Sequence, residues 1–194
     1  YYARLTDHGL REEVFADVTA NDWLNDAHEA VEIGKRLGDQ VVVMGHSTGA
    51  TLGLWRANLD PTGVAAVVLL SPNFGLANPQ AQLATYPWGK VLGRLLQGRY
   101  NEFEPKSPEH ALFWTERYLL DAAVEVIALA DYCSGQSYDE FAIPTLLVYS
   151  EKDTLISLPK LRAQWTKISD DSKWLYALPD SPGHGLAGDI RSPE

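Results

Sequence analysis

The stretch Gln40-Val41-Val42-Val43-Met44-Gly45-His46-Ser47-Thr48-Gly49-Ala50-Thr51-Leu52-Gly53-Leu54-Trp55-Arg56-Ala57 decides the fold. Its first five residues form a short, mostly apolar, β-branched run, the pattern of a strand buried in a parallel sheet. Its last eight place apolar residues at helical spacing. Between the two stands Gly45-His46-Ser47-Thr48-Gly49, a G-x-S-x-G. A bare G-x-S-x-G recurs by chance, but strand, sharp turn and helix are the context of a nucleophile elbow. Gly45 and Gly49 are expected to leave room where strand and helix crowd each other. Ser47 can then hold a strained backbone and project its hydroxyl outward. The competing reading makes Ser47 an ordinary N-cap after a glycine turn.

A serine alone is a weak nucleophile and needs a base and an orienting acid. On a strand–elbow–helix scaffold these follow in the order Ser, Asp or Glu, His. Ile143-Pro144-Thr145-Leu146-Leu147-Val148-Tyr149-Ser150 reads as a strand entered through a proline, and Glu151-Lys152-Asp153 comes directly after it. Lys173-Trp174-Leu175-Tyr176-Ala177-Leu178 reads as a further strand, followed by Ser181-Pro182-Gly183-His184-Gly185. Asp153 and His184 thus stand just past the C-terminal ends of strands, where parallel α/β sheets bind ligands. Taken singly, Asp153 reads equally well as a solvated loop carboxylate and His184 as a surface histidine. Their joint order behind Ser47 favours catalysis.

With these motifs the chain resembles the α/β-hydrolase superfamily, and within it the bacterial carboxylesterase, lysophospholipase and monoacylglycerol-lipase-like branch. The resemblance rests on Gly45-His46-Ser47-Thr48-Gly49, Glu151-Lys152-Asp153 and Gly183-His184-Gly185-Leu186-Ala187-Gly188-Asp189, with Arg4-Leu5-Thr6-Asp7-His8-Gly9 ahead of the first helix. It covers nearly the whole chain. One departure is Ala50, where several relatives carry a second glycine. The resemblance implies a mostly parallel α/β-hydrolase sheet flanked by helices, with a helical cap insertion. It implies Ser47 as nucleophile, Asp153 as acid and His184 as base, acting on a small-molecule ester with an apolar acyl group. The backbone N–H of Thr48, the residue after the serine, is the expected oxyanion donor. His46 is expected beside the substrate.

Composition narrows the classes. The 194 residues suit one domain, and a hydrophobic fraction of 45% with six tryptophans suits a packed globule. A net charge of −10 argues against nucleic acid and against docking on anionic lipid. Cys133 is the single cysteine, so no disulfide forms within the chain, and a cytoplasmic location is the expectation. No stretch reaches transmembrane length and Tyr1-Tyr2-Ala3-Arg4-Leu5 resembles no signal peptide. Paired Cys/His spacing and a G-x-G-x-x-G loop are absent, so neither a metal nor an organic cofactor is expected.

Three regions follow: a first hydrolase-core part over 1–73, a cap over 74–118 and a second core part over 119–194. Thr19-Ala20-Asn21-Asp22 opens a helix whose apolar face runs from Trp23 to Leu37, and Val64 to Leu70 is a second buried strand. Ser107-Pro108-Glu109 starts a helical region towards Gly135, in one piece or two, and Leu158 to Ile168 is a short amphipathic helix. The segment 74–118 is too long for a plain connection. Its aromatics include Phe74, Trp88, Phe103 and Trp114; most of the segment's aromatics are expected to pack the cap's own small core, and Phe74, Trp88 and Trp114 are the candidates to face an acyl chain. His28 and His110 read as surface residues.

The tract Tyr2 to Leu5 reads as a short strand, and the first strands of the resembled scaffold, with the loop that supplies a second oxyanion donor, have no counterpart. Ser192-Pro193-Glu194 is a helix-start signature at the other end. Both ends therefore read as cut from a longer protein, with self-association through the incomplete sheet expected. A second function class follows from this: a non-catalytic, hydrolase-like module for binding or assembly.

Overall fold

A computed structural model describes residues 1–9, 18–102, 104–105, 107–115, 117–181, 183–186 and 188. In chain order the elements are α1 (Ala20–Leu37), β1 (Val41–His46), α2 (Thr48–Leu59), β2 (Val64–Leu70), α3 (Gly89–Gln97), β3 (Tyr100–Glu102), α4 (Pro108–Phe113), β4 (Arg117–Leu119), α5 (Leu120–Ser134), β5 (Thr145–Ser150), α6 (Leu158–Trp165) and β6 (Lys173–Leu178). Short 3₁₀ turns occupy Pro79–Thr85 and Asp170–Ser172. The four-stranded sheet runs β1-β2-β5-β6 and every pairing is parallel. β3 and β4 form a separate antiparallel pair inside the insertion between β2 and α5. Phe103 and Ser192-Pro193-Glu194 lie outside the described residues.

α1 begins where the sequence places it. The Asp22 carboxylate accepts both the N–H and the hydroxyl of Thr19 at 2.8 Å, which satisfies donors that the first helical turn leaves open. α2 is the central pillar, buried continuously from Ala50 to Ala57. Its Ala50, Leu54 and Ala57 join a cluster with Val67, Leu69, Leu147 and Tyr149 of the sheet. Its Leu52 and Trp55 join a second cluster with Trp23, Ala27, Leu129 and Cys133. Close packing of helix on strand needs small residues. A Cβ on Gly53 would lie 2.9 Å from Val43 Cγ1, and one on Gly34 3.2 Å from the Val41 methyls. Arg56, fully buried near the end of α2, is held by Glu32 at 2.7 Å and by the Asp60 carbonyl at 3.0 Å.

The sheet is covered on one side only among the described residues. In-register partners in a sheet share a face, and one row runs Met44, Val68, Leu146, Trp174. Val42, Met44, Leu146, Trp174 and Tyr176 are all exposed. β1 therefore alternates between covered and open positions rather than being buried throughout. Tyr2 to Leu5, expected as a strand, is irregular. No strand pairs with it among the described residues, and an extended segment without a ladder is not a strand. The helical region after Ser107 is split into α4 and α5 by β4, and the helix from Leu158 ends at Trp165.

An exposed apolar face of this size invites association. Trp174→Lys combined with Tyr176→Lys is expected to lower self-association of the chain with no fall in its urea midpoint. Sedimentation velocity checks this, and an unchanged distribution of species would show that the face is not what associates.

Candidate active site

Ser47 sits between the last residue of β1 and the first of α2 with φ 54 and ψ −121. For a residue with a Cβ this conformation costs about 1–3 kcal/mol and persists only where neighbours enforce it. Here they do. The Ser47 N–H donates to the Leu70 carbonyl at 2.9 Å. Its own carbonyl accepts from Ala50 at 3.1 Å, Thr51 at 3.2 Å and Asn73 at 3.2 Å. Four such bonds, each worth about 0.5–1.5 kcal/mol net, outweigh the strain. A simple N-cap serine would accept an N–H through its side chain, and no such bond is present at Ser47. As the first residue of α2, Thr48 has an N–H that the helix itself leaves unbonded.

Of the two glycines flanking the turn, one is required by space. A Cβ on Gly45 would stand 2.4 Å from the carbonyl carbon and oxygen of Gly49 and 2.5 Å from the Ala50 nitrogen. A Cβ on Gly49 would meet nothing within 4 Å. The expectation that both relieve crowding thus holds for Gly45 alone.

Asp153 and His184 are brought together across two strand ends. The His184 Nδ1 lies 2.8 Å from Asp153 Oδ2, with the Asp153 side chain fully buried and that of His184 only 11% exposed. An ionised carboxylate has no proton to give, so Nδ1 carries the hydrogen and Nε2 of the neutral ring keeps a lone pair. The other carboxylate oxygen, Oδ1, accepts the N–H of Leu155 at 2.9 Å and of Ile156 at 3.3 Å. Burial is the largest single influence on Asp153 and opposes its charge. The His184 hydrogen bond, the Leu155 N–H, the His184 charge and the Ile156 N–H together overcome it, so its pKa falls below the ordinary 3.8.

The loop after β6 is fastened from two more sides. The Ser150 hydroxyl donates to the Ser181 carbonyl at 2.9 Å. His46 Nε2 lies 2.9 Å from the His184 carbonyl, and the two imidazole rings stand 4.8 Å apart at 54°. This sets the Asp153–His184 pair beside the residue that precedes Ser47. No hydrogen bond joins the Ser47 hydroxyl to His184 among the described residues. Catalytic hydrogen bonds commonly tighten only once substrate is bound.

The aromatics expected to face an acyl chain are placed differently. Phe74 is 3% exposed and packs in the main core with Ile156 and Leu161, because the chain leaving β2 turns inward there. Trp88 is 78% exposed at the start of α3, and Trp114 lies edge-on to His110 at 4.9 Å. His110, expected at the surface, is 1% exposed, with the Trp114 ring edge-on to it. The cavity that reaches Ser47, of about 900 Å³, is lined instead by Tyr1, Tyr2, His8 and Val31 together with β1 and the start of α2. No sequence signal singled out Tyr1 or Tyr2 as lining residues. Among the described residues no group of three or more His, Cys, Asp or Glu side chains stands ready for a metal ion, and no helix is long and apolar enough to cross a membrane.

The insertion is rooted next to the Asp153 loop. Leu76 bridges Ile156, the Ser157 N–H donates to the Gly75 carbonyl at 2.8 Å, and the Ala77 N–H to Leu155 at 2.9 Å. Its helix α3 turns polar groups toward the protein, with Lys90 2.6 Å from Glu125 and Arg94 Nε 2.9 Å from Asp121. It leaves Val91, Leu92, Leu95 and Leu96 exposed.

Comparison with known proteins fits this geometry. The model of the family described as Serine aminopeptidase, S33, a hydrolase family, matches residues 8–189. No curated protein matches the chain. Among solved structures the chain is similar to a metagenome-derived lipolytic enzyme of the LipS and LipT study, with a TM-score of 0.76 at 18% identity, covering 93% of this chain and 71% of that one. It is similar to the monoacylglycerol lipase of Paleococcus ferrophilus, with a TM-score of 0.63 at 19% identity over 84% of this chain and 67% of that one. A soluble variant of monoglyceride lipase from Saccharomyces cerevisiae gives 0.64 at 14% identity over 87% and 63%. At these identities the likeness is one of fold.

Two outcomes test the site's construction. Gly45→Ala is expected to cost about 3 kcal/mol or more, because its Cβ collides with backbone rather than with a movable side chain, while Gly49→Ala changes the urea midpoint little. Equal effects would refute the crowding argument. For Asp153, a lowered folded pKa means that its charge stabilises the fold above its ordinary value of 3.8, a contribution lost as pH falls through the lower folded value. The destabilisation caused by Asp153→Asn is therefore expected to shrink as pH drops below 3.8. A penalty independent of pH would show that the charge is not the anchor.

Proposed function

The chain belongs to the hydrolase family described as Serine aminopeptidase, S33, and from that premise we propose that it cleaves carboxylic esters through Ser47, His184 and Asp153. The observation that carries this reading is the 2.8 Å contact of a buried carboxylate with His184 Nδ1, while the His184 carbonyl lies 2.9 Å from Nε2 of His46, the residue before a serine at φ 54. The arrangement leaves His184 Nε2 free to act as a base.

In the proposed reaction Nε2 takes the Ser47 hydroxyl proton as the oxygen attacks the ester carbonyl. Asp153 keeps the ring in the right tautomer and stabilises the imidazolium. The oxyanion of the tetrahedral intermediate accepts the Thr48 N–H, and one such donor is worth about 10²–10³ in rate. The imidazolium then gives its proton to the departing alcohol. Water, activated by the same nitrogen, releases the acid from the Ser47 acyl ester. No metal or organic cofactor takes part in this scheme. Residues 74–118 act as the cap, and the exposed Trp88, Val91, Leu92, Leu95 and Leu96 favour a substrate with an apolar acyl group. The lipolytic character of the similar structures points the same way.

The test uses a short p-nitrophenyl ester, an aminoacyl p-nitroanilide and a fluorophosphonate label. Ester hydrolysis and labelling are expected, with both lost in Ser47→Ala at a cost of about 10⁶ in kcat. His184→Gln is expected to abolish turnover, and His28→Gln, exposed on α1, to leave it intact. Preferential cleavage of the anilide would overturn the ester assignment. Neither labelling nor hydrolysis would leave the non-catalytic binding module as the better account.

A further inference from the structure

We infer that His46 is a positioning residue that holds the general base in place, donating from its Nε2 to the main-chain carbonyl of His184. The inference rests on the reading of His184 as the base. It assigns His46 a part in the reaction other than touching substrate.

Ser181, Gly183 and His184 belong to no helix or strand among the described residues. Their fastenings are therefore side chains. Two of them, Ser150 to the Ser181 carbonyl and Asp153 to His184 Nδ1, come from the end of β5 and the loop after it. His46 comes from β1, the strand that delivers Ser47, and its Nε2 stands 2.9 Å from the His184 oxygen. A carbonyl oxygen only accepts, so Nε2 must carry a hydrogen. That donor is then committed to the loop and is not available to substrate. The ring also packs against the His184 ring at a centroid distance of 4.8 Å.

The consequence is geometric. Asp153 fixes which way the His184 ring turns, but both belong to the β5 and β6 side of the sheet. His46 refers the same ring to the frame that holds Ser47, whose backbone is tied by bonds from both sides of the turn. Proton transfer depends on the separation between these two halves, and a misplacement of about 1 Å costs on the order of 10²-fold in rate. A residue that holds the base without meeting substrate should affect kcat and leave KM nearly unchanged.

The experiment compares wild type, His46→Leu and His46→Gln in turnover of a p-nitrophenyl ester. It also reads the His184 Nδ1–H proton by NMR of protein labelled with ¹⁵N-histidine, the signal being identified by its loss in His184→Gln. His46→Leu is expected to lower kcat by about tenfold to a hundredfold, with KM within about threefold. The Nδ1–H signal should broaden or shift in that variant. His46→Gln retains an amide donor and should recover most of the rate and the signal. Thermal melts of both variants establish that they are folded. A raised KM with kcat intact would make His46 a substrate contact and overturn the inference. So would an unchanged kcat and signal in His46→Leu, or a His46→Gln variant no better than His46→Leu. If wild type turns over no ester, the serine-hydrolase reading fails by itself. The NMR comparison still decides whether His46 holds the His184 loop, and an unchanged signal in His46→Leu, or its absence from wild type, overturns that.

Discussion

The backbone of Ser47 is the constraint on which the rest of the site depends. A left-handed φ of 54 on a residue with a side chain is unfavourable by itself. It survives because the end of β2 and the segment after it both bond at this point: Leu70 takes the Ser47 N–H and Asn73 gives its N–H to the Ser47 carbonyl. The first turn of α2 supplies two further donors. α2 must then lie close against β1, which Gly45 permits on one side of the turn and Gly53 along the interface. Burial of α2 from Ala50 to Ala57 between two apolar clusters presses the turn into this shape. The local cost is met by global packing.

The second half of the site uses a different device. Asp153 and His184 occupy loops at the ends of β5 and β6, neighbours in the sheet with Ser150 opposite Leu178. Parallel pairing therefore delivers both side chains to the same end of the sheet without any long-range search. Once there, electrostatics arrange the roles. Burial alone would push Asp153 toward neutrality, and the donors from His184, Leu155 and Ile156 reverse that. A buried anion so held can orient the imidazole and favour its charged form. The same Leu155–Ser157 segment bridges to the root of the insertion, so the acid loop and the insertion share one anchor.

The insertion departs from the usual economy of surface helices. α3 spends its cations on Glu125 and Asp121 of α5 and presents leucines outward. Salt bridges of this exposure contribute little to stability. They lie on the face of α3 turned toward α5, while Val91, Leu92, Leu95 and Leu96 are exposed.

The order of chemistry along the chain was legible in the residues themselves. Gly45-His46-Ser47-Thr48-Gly49 between a β-branched run and an apolar helix reads as strand, tight turn and helix, because strand and helix periods differ, and β1, the Ser47 turn and α2 stand there. Asp153 and His184 were legible from their places after two strands. The capped start of α1 followed from Thr19 and Asp22. Other features came from three-dimensional packing. Whether an aromatic faces substrate or core depends on which way the chain turns after a strand, and so Phe74 went inward and Trp88 outward. His110 was buried, a tertiary outcome that its place on a short helix does not encode. His46 found the His184 carbonyl across 138 residues of chain. Sequence by itself determined residue type, local period and order, because these are set by short-range sterics and hydrophobic spacing. The tertiary structure alone decided which side chains meet, because a contact between distant loops depends on the register and handedness of every strand between them.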